Sequence, residues 1–215
     1  MAAVPSALAE QFEDIEQQRE ASAFGMWVFL ITEVMFFGGL FLSYTIYRVI
    51  YPAAFADASL HLDVTLGTIN TAVLICSSFT MALAVHSAQT GRQRLLPLFL
   101  LATLLIGLVF LGIKFIEWSH EIHENLVPGH GFLYPGPYAQ PAKLFFSLYF
   151  LMTGAHALHL FIGVCVLAVL CVLSWLGRFS SQYHTPIEIT GLYWHFVDVV
   201  WLFLYPLLYL IDVYR

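Results

Sequence analysis

Charged side chains are scarce in this chain: Asp, Glu, Lys and Arg make up 10% of its 215 residues, against about 25% in a soluble domain. With 60% hydrophobic residues and a mean hydropathy of +0.81, a water-soluble globule is excluded and lipid is the solvent. Lys and Arg number only eight and form no patch, which argues against a nucleic-acid binder. The net charge of −6 points to no class of partner. The three cysteines, Cys76, Cys165 and Cys171, form no CxxC or CxxCH pattern. That argues against a disulfide framework, a zinc knuckle and an attached haem c, and they read as small side chains buried in helix packing. Residues 1–23 have no basic start ahead of an apolar stretch; they carry Glu10, Glu13, Asp14, Glu16 and Glu20. They therefore do not read as a signal peptide but as a polar N-terminal arm, a surface helix or a disordered segment, ahead of one transmembrane domain over 24–215. There is no internal repeat and no pair of Gly/Pro-broken helices, which counts against a transporter.

What the sequence does hold is five apolar stretches, at about 24–47, 67–88, 97–118, 144–175 and 192–212. A crossing needs about 20 apolar residues, and an open chain in lipid must satisfy its own backbone hydrogen bonds, so each stretch predicts a helix. The fold class is an all-α membrane protein, a five-transmembrane-helix bundle. The link 89–96 carries Arg92 and Arg94 and no acid, and the link 176–191 carries Arg178. Basic links face the cytoplasm, which puts the N-terminus inside and the C-terminus outside; Arg48, Lys143 and Arg215 lie on the opposing side. The outer loop 119–143 holds Pro128, Pro135, Pro137 and Pro141 and predicts a cap without regular structure. Trp27, Trp118, Trp175 and Trp194 fall near the predicted boundaries, where amphipathic rings settle.

The informative residues are the ionisable ones within the apolar stretches. Glu33 lies about 14 Å into the first helix by helical rise, near the bilayer centre, where a charged acid costs at least about 2.5 kcal/mol. It is either a proton-relay or lipid-site carboxyl, or a neutral acid bonded to a neighbouring helix. His156 and His159, three apart on the fourth helix, share one side of it; His195 and Asp198 repeat the spacing on the fifth. Two such histidines could ligate a metal, so an intramembrane metalloenzyme using His156, His159 and His195 stands as a rival reading; the alternative is polar contact between helices. The run His120-Glu121-Ile122-His123-Glu124 is not HExxH. Lys114 and Glu117 predict an ion pair with snorkelling stems. Glu188 precedes the fifth helix, where an acid complements the helix dipole. Arg178 and His184, in the link before it, suit a lipid phosphate or water.

Three stretches together resemble the signature regions of cytochrome oxidase subunit III: Phe24-Gly25-Met26-Trp27 through Thr32-Glu33-Val34-Met35-Phe36-Phe37, Thr153-Gly154-Ala155-His156-Ala157-Leu158-His159 with Gly163, and Trp194-His195-Phe196-Val197-Asp198 through Tyr205. The resemblance covers about residues 24–212, and the chain has the five-helix form seen in bacteria rather than seven helices. It implies a V-shaped cleft holding phospholipids, and packing against the catalytic subunit I, with subunit II as a further partner. It also implies no haem or copper on this chain, those cofactors residing in the partner subunits. The implied role is support of subunit I and of its proton uptake in a proton-pumping terminal oxidase of a bacterial plasma membrane. By the same resemblance Glu33 is the intramembrane carboxyl with His156 as its hydrogen-bond partner; His159, His195 and Asp198 shape the cleft; Arg178, His184, Glu188 and Trp194 contact lipid. Quinol-oxidising relatives often carry Asp where Glu33 stands, which favours cytochrome c as electron donor over quinol.

Overall fold

The structure, a computed structural model, describes residues 10–129 and 131–211. All regular structure among them is helical: α1 (Ile15–Ile50), α2 (Pro52–Ser59), α3 (Val64–Gln89), α4 (Leu96–His123), α5 (Ala139–Trp175) and α6 (Thr185–Tyr205), the last running into a π-helical turn, Pro206–Leu210. Five of these elements are long and apolar enough to span a membrane.

Local chemistry decides where each begins and ends. The Asp14 carboxylate accepts from the Gln17 N–H at 2.7 Å, so α1 starts nine residues before the apolar stretch does. Asp63 does the same for α3, accepting from Thr65 and Leu66 at 2.8 and 3.0 Å; such caps satisfy amide groups that the first turn leaves without partners. Proline occupies the first turn of α2, α4 and α6, where its missing N–H is no loss. Three helices end on one device. Gly91, Asn125 and Gly177 take a left-handed backbone, and the next amides, of Arg92, Leu126 and Arg178, reach back to the Ser87, Glu121 and Leu173 carbonyls at 2.9–3.1 Å. This is the Schellman closure. Its use of Asn125 carries α4 five residues past the predicted end at 118, through Glu121.

In the bundle α3 packs on α4 and α6, α4 on α5, and α5 on α6, while α1 lies against α6 and α5 and is the least buried span. Short α2 packs on α5 beneath the outer loop. Tyr134 of that loop donates to the Asp57 carboxylate of α2 at 2.6 Å; partial burial, with that carboxylate beside it, pushes the Tyr134 hydroxyl pKa up.

Trp194 departs from its predicted place at a membrane boundary and as a lipid contact. It is fully buried. Its ring fits between Gly107 of α4 and Gly163 of α5, where an added Cβ would stand 2.8 and 3.0 Å from the ring carbons. Its indole N–H donates to Ser77 Oγ of α3 at 3.0 Å. Two glycines on other helices make room for a large ring that the local sequence alone assigns to the interface. Of the cysteines Cys171 is buried as predicted, but Cys76 and Cys165 face outward, on bundle surface that lipid can cover.

Candidate functional site: polar side chains between the spans

Glu33 on α1 meets α5 through His159, whose Nε2 lies 3.0 Å from Glu33 Oε2. His156, the predicted partner, does not make this contact. Three residues along a helix turn the side-chain direction by about 300°, leaving the two histidines about 60° apart. That is enough for one to face α1 while the other faces inward. His159 Nδ1 lies 2.7 Å from the Ala155 carbonyl. A carbonyl only accepts, so Nδ1 carries a proton. Nε2 and Glu33 therefore share one further proton, as a carboxylic acid donating to imidazole or as an imidazolium donating to carboxylate. Tyr193 donates to the His159 carbonyl at 2.9 Å, and Phe37 stands edge-on to the ring with centroids 5.3 Å apart. The pair is partly exposed, at 17% and 16% of side-chain surface, so it lies at the edge of the bundle rather than in its core.

His156 is buried with neither ring nitrogen hydrogen-bonded. It sits between Phe110 and Trp201, at ring-centroid distances of 5.6 and 5.2 Å. His195 Nδ1 is 2.8 Å from Ser78 Oγ. One turn on, Asp198 is buried, with Ser78 as the polar side chain beside its carboxylate. The structure thus separates the three histidines of the metalloenzyme reading onto different partners, and no group of three His, Cys, Asp or Glu able to hold a metal occurs among the described residues.

Two neighbouring grooves run along α3 and α6 and share Ala82 and His195. One, about 350 Å³, borders Ser78, Asp198 and Leu202. The other, about 450 Å³, is closed at its end by the start of α1 through Arg19 and by Gln89 and Glu188. There Glu188 accepts from Gln89 at 2.6 Å, lies 3.3 Å from His184 Nε2 and 3.6 Å from an Arg19 guanidinium nitrogen. Arg178 is exposed in the link before α6.

The residue pattern of α4 hides more than the sequence reading found. Lys114 does pair with Glu117, at 3.1 Å, but it does not snorkel: both are buried, and so is Glu121 one turn further on. The ammonium donates to Tyr149 of α5 and Tyr209 of the π-turn at 2.8 and 2.7 Å. Aromatic faces surround it, Tyr149 at 4.7 Å and Trp201 at 5.5 Å from the ring centroids. The spacing 114, 117, 121 was a readable signal of one helix side; the tyrosines that complete it come from elsewhere.

A five-span helical bundle with paired and buried ionisable groups defines a multi-pass integral membrane protein. Residues 13–213 match the family described as cytochrome c oxidase subunit III, and the chain belongs to that family. It is 32% identical over 188 residues to a cytochrome c oxidase subunit 3 from Thermostichus vulcanus, covering 87% of this chain and 86% of that protein. It is also 29% identical over 213 residues to a probable quinol oxidase subunit 3 of Staphylococcus epidermidis, covering 95% and 96%. A Staphylococcus aureus protein of the same description is 30% identical over 197 residues, with 90% of each covered. As a subunit III, the chain works in association with other subunits of a haem–copper oxidase.

Proposed function

We propose that this chain is the non-redox subunit of a proton-pumping terminal oxidase in a bacterial plasma membrane, reducing dioxygen to water, with its N-terminus cytoplasmic and its C-terminus outside. It holds phospholipid, stabilises subunit I, which with subunit II carries the haem and copper, and supports proton uptake. The observation that carries the proton role is the Glu33–His159 pair. It joins α1 to α5 near the middle of the span, shares one proton, and remains open at its edge. His195 and Asp198 shape the groove between α3 and α6. Arg178 offers positive charge and His184 an imidazole N–H to a lipid phosphate, and Glu188 offers an acceptor to an amine headgroup.

Both cytochrome c and quinol oxidases occur among the similar proteins. Glu at position 33, where quinol-oxidising relatives often carry Asp, favours cytochrome c as donor. The test is Glu33→Gln in the assembled oxidase. The complex should form with its full haem content, while proton uptake slows or inactivation during turnover accelerates. Uptake and inactivation both at the wild-type rate would remove the proton role and leave a structural one.

A further inference from the structure

We propose that Glu117 and Glu121 form a second, buried proton-binding site, a carboxylate pair that holds one exchangeable proton across the Tyr149 hydroxyl.

The geometry carries the assignment. Lys114, Glu117 and Glu121 are 1%, 3% and 4% exposed. The Lys114 ammonium donates to both phenol oxygens, so each phenol must direct its own proton elsewhere. Tyr209 gives its proton to Glu117 Oε1. Tyr149 has one proton and two carboxylate oxygens in reach, Glu121 Oε1 at 2.6 Å and Glu117 Oε1 at 3.0 Å. Glu121 Oε2 is buried with no hydrogen bond.

Charge balance leads to the same ligand. Among the described residues Lys114 is the one cation placed against these two carboxylates. His156 of α5 lies near it but makes no hydrogen bond. Glu124, at the end of α4, adds further negative charge. Along α3 Cys76 lies at mid-helix and faces outward, His86 lies in the last turn, and Asp63 is engaged in capping that helix. An uncompensated carboxylate in such surroundings is strongly disfavoured, and two neighbouring carboxylates relieve this by sharing a proton. With Glu121 protonated, its O–H donates to Tyr149 Oη and Tyr149 turns its own O–H to Glu117. With Glu117 protonated the relay reverses. The proton thus belongs to the pair rather than to either residue. A cavity bounded by Glu124, Asn125 and Tyr134 opens at this end of the bundle, just past the last turn of α4 that carries Glu121. The site lies on a different helix pair from Glu33–His159 and does not depend on that reading.

Infrared difference spectroscopy of the complete detergent-purified oxidase during a pH step tests the proposal. The expected result is a protonated-carboxyl C=O band that is lost in Glu121→Gln, shifts in Tyr149→Phe and is unchanged in Glu124→Gln. Proton uptake measured in the same step should fall by one per complex in Glu121→Gln. A band of undiminished amplitude in Glu121→Gln, or no such band in the wild type, overturns it. Should Glu121→Gln fail to assemble, wild-type and Tyr149→Phe complexes labelled with ¹³C-glutamate decide. A labelled band indifferent to the Tyr149 substitution then overturns it.

Discussion

Replacing Lys114 with Met keeps the stem and removes the ammonium, and so tests whether the polar cluster on α4 is held together by charge. In the native bundle that ammonium makes two hydrogen bonds, at 2.8 and 2.7 Å, and one ion pair at 3.1 Å, all with buried partners. Deleting one partner of a buried pair leaves an uncompensated charge and costs about 3–5 kcal/mol. The hydrogen bonds, each worth about 1.5–3 kcal/mol with a charged donor, are contained in that figure, because contacts in one network do not add. For a chain of this size about 1 kcal/mol moves the melting temperature by roughly 2–4 °C, so Lys114→Met should lower it by about 6–20 °C. The assay is a thermal ramp of the detergent-solubilised complex, followed by size-exclusion chromatography of what remains assembled. Adding Glu117→Gln to Lys114→Met neutralises the stranded carboxylate and should recover much of the loss. If Lys114→Met does not accumulate at all, recovery by the double variant carries the test. A single variant melting within about 2 °C of wild type, or a double variant no better than the single, would refute the reasoning.

Two further outcomes probe packing and the lipid surface. Gly107→Val places a Cβ 2.8 Å from the Trp194 ring and should destabilise the bundle by about 1–3 kcal/mol or more through overpacking, read in the same thermal assay; Gly112→Val, with open space around its Cβ, serves as the control. Arg178→Ala should reduce the phospholipid that co-purifies with the complex, measured by mass spectrometry of the extracted lipid; full retention would remove Arg178 from the headgroup contacts.

The five crossings were legible because hydropathy alone decides them, and the middle of the outer loop because Pro128, Pro135 and Pro137 interrupt it; Pro141 instead lies in the first turn of α5, which begins at Ala139 rather than at the apolar stretch. The ends of the helices were harder to read. Asp14, Asn125 and Pro186 extend α1, α4 and α6 beyond the apolar stretches, and capping follows single side chains rather than the lipid boundary. The ionisable residues were also legible as outliers, yet their partners were not. That His156 and His159 share a helix side is in the sequence; which of them faces Glu33 depends on how α1 leans against α5. Glu121 was weighed only as part of a run that is not HExxH, because it lies beyond the apolar stretch, and Tyr149 and Tyr209, which bury it, come from other helices. Trp194 was misplaced for the same reason: its pocket is an absence of side chain on α4 and α5.

That pocket bears on how the subunit can move. One indole touches α4 and α5 by shape, is anchored to α3 by its N–H, and is carried by α6, so four of the five spans meet at a single joint. They cannot slide past one another without withdrawing the ring from its slot. α1 rests on the outside of that block and is fastened to it at separated points: Arg19 to Glu188 at its start, Glu33 to His159 near the middle, and towards its end the buried Tyr44, which donates to the Leu207 carbonyl at 3.0 Å. Release of Arg19 would loosen the start of α1 where it borders the groove along α3 and α6, while Tyr44 keeps the other end in place.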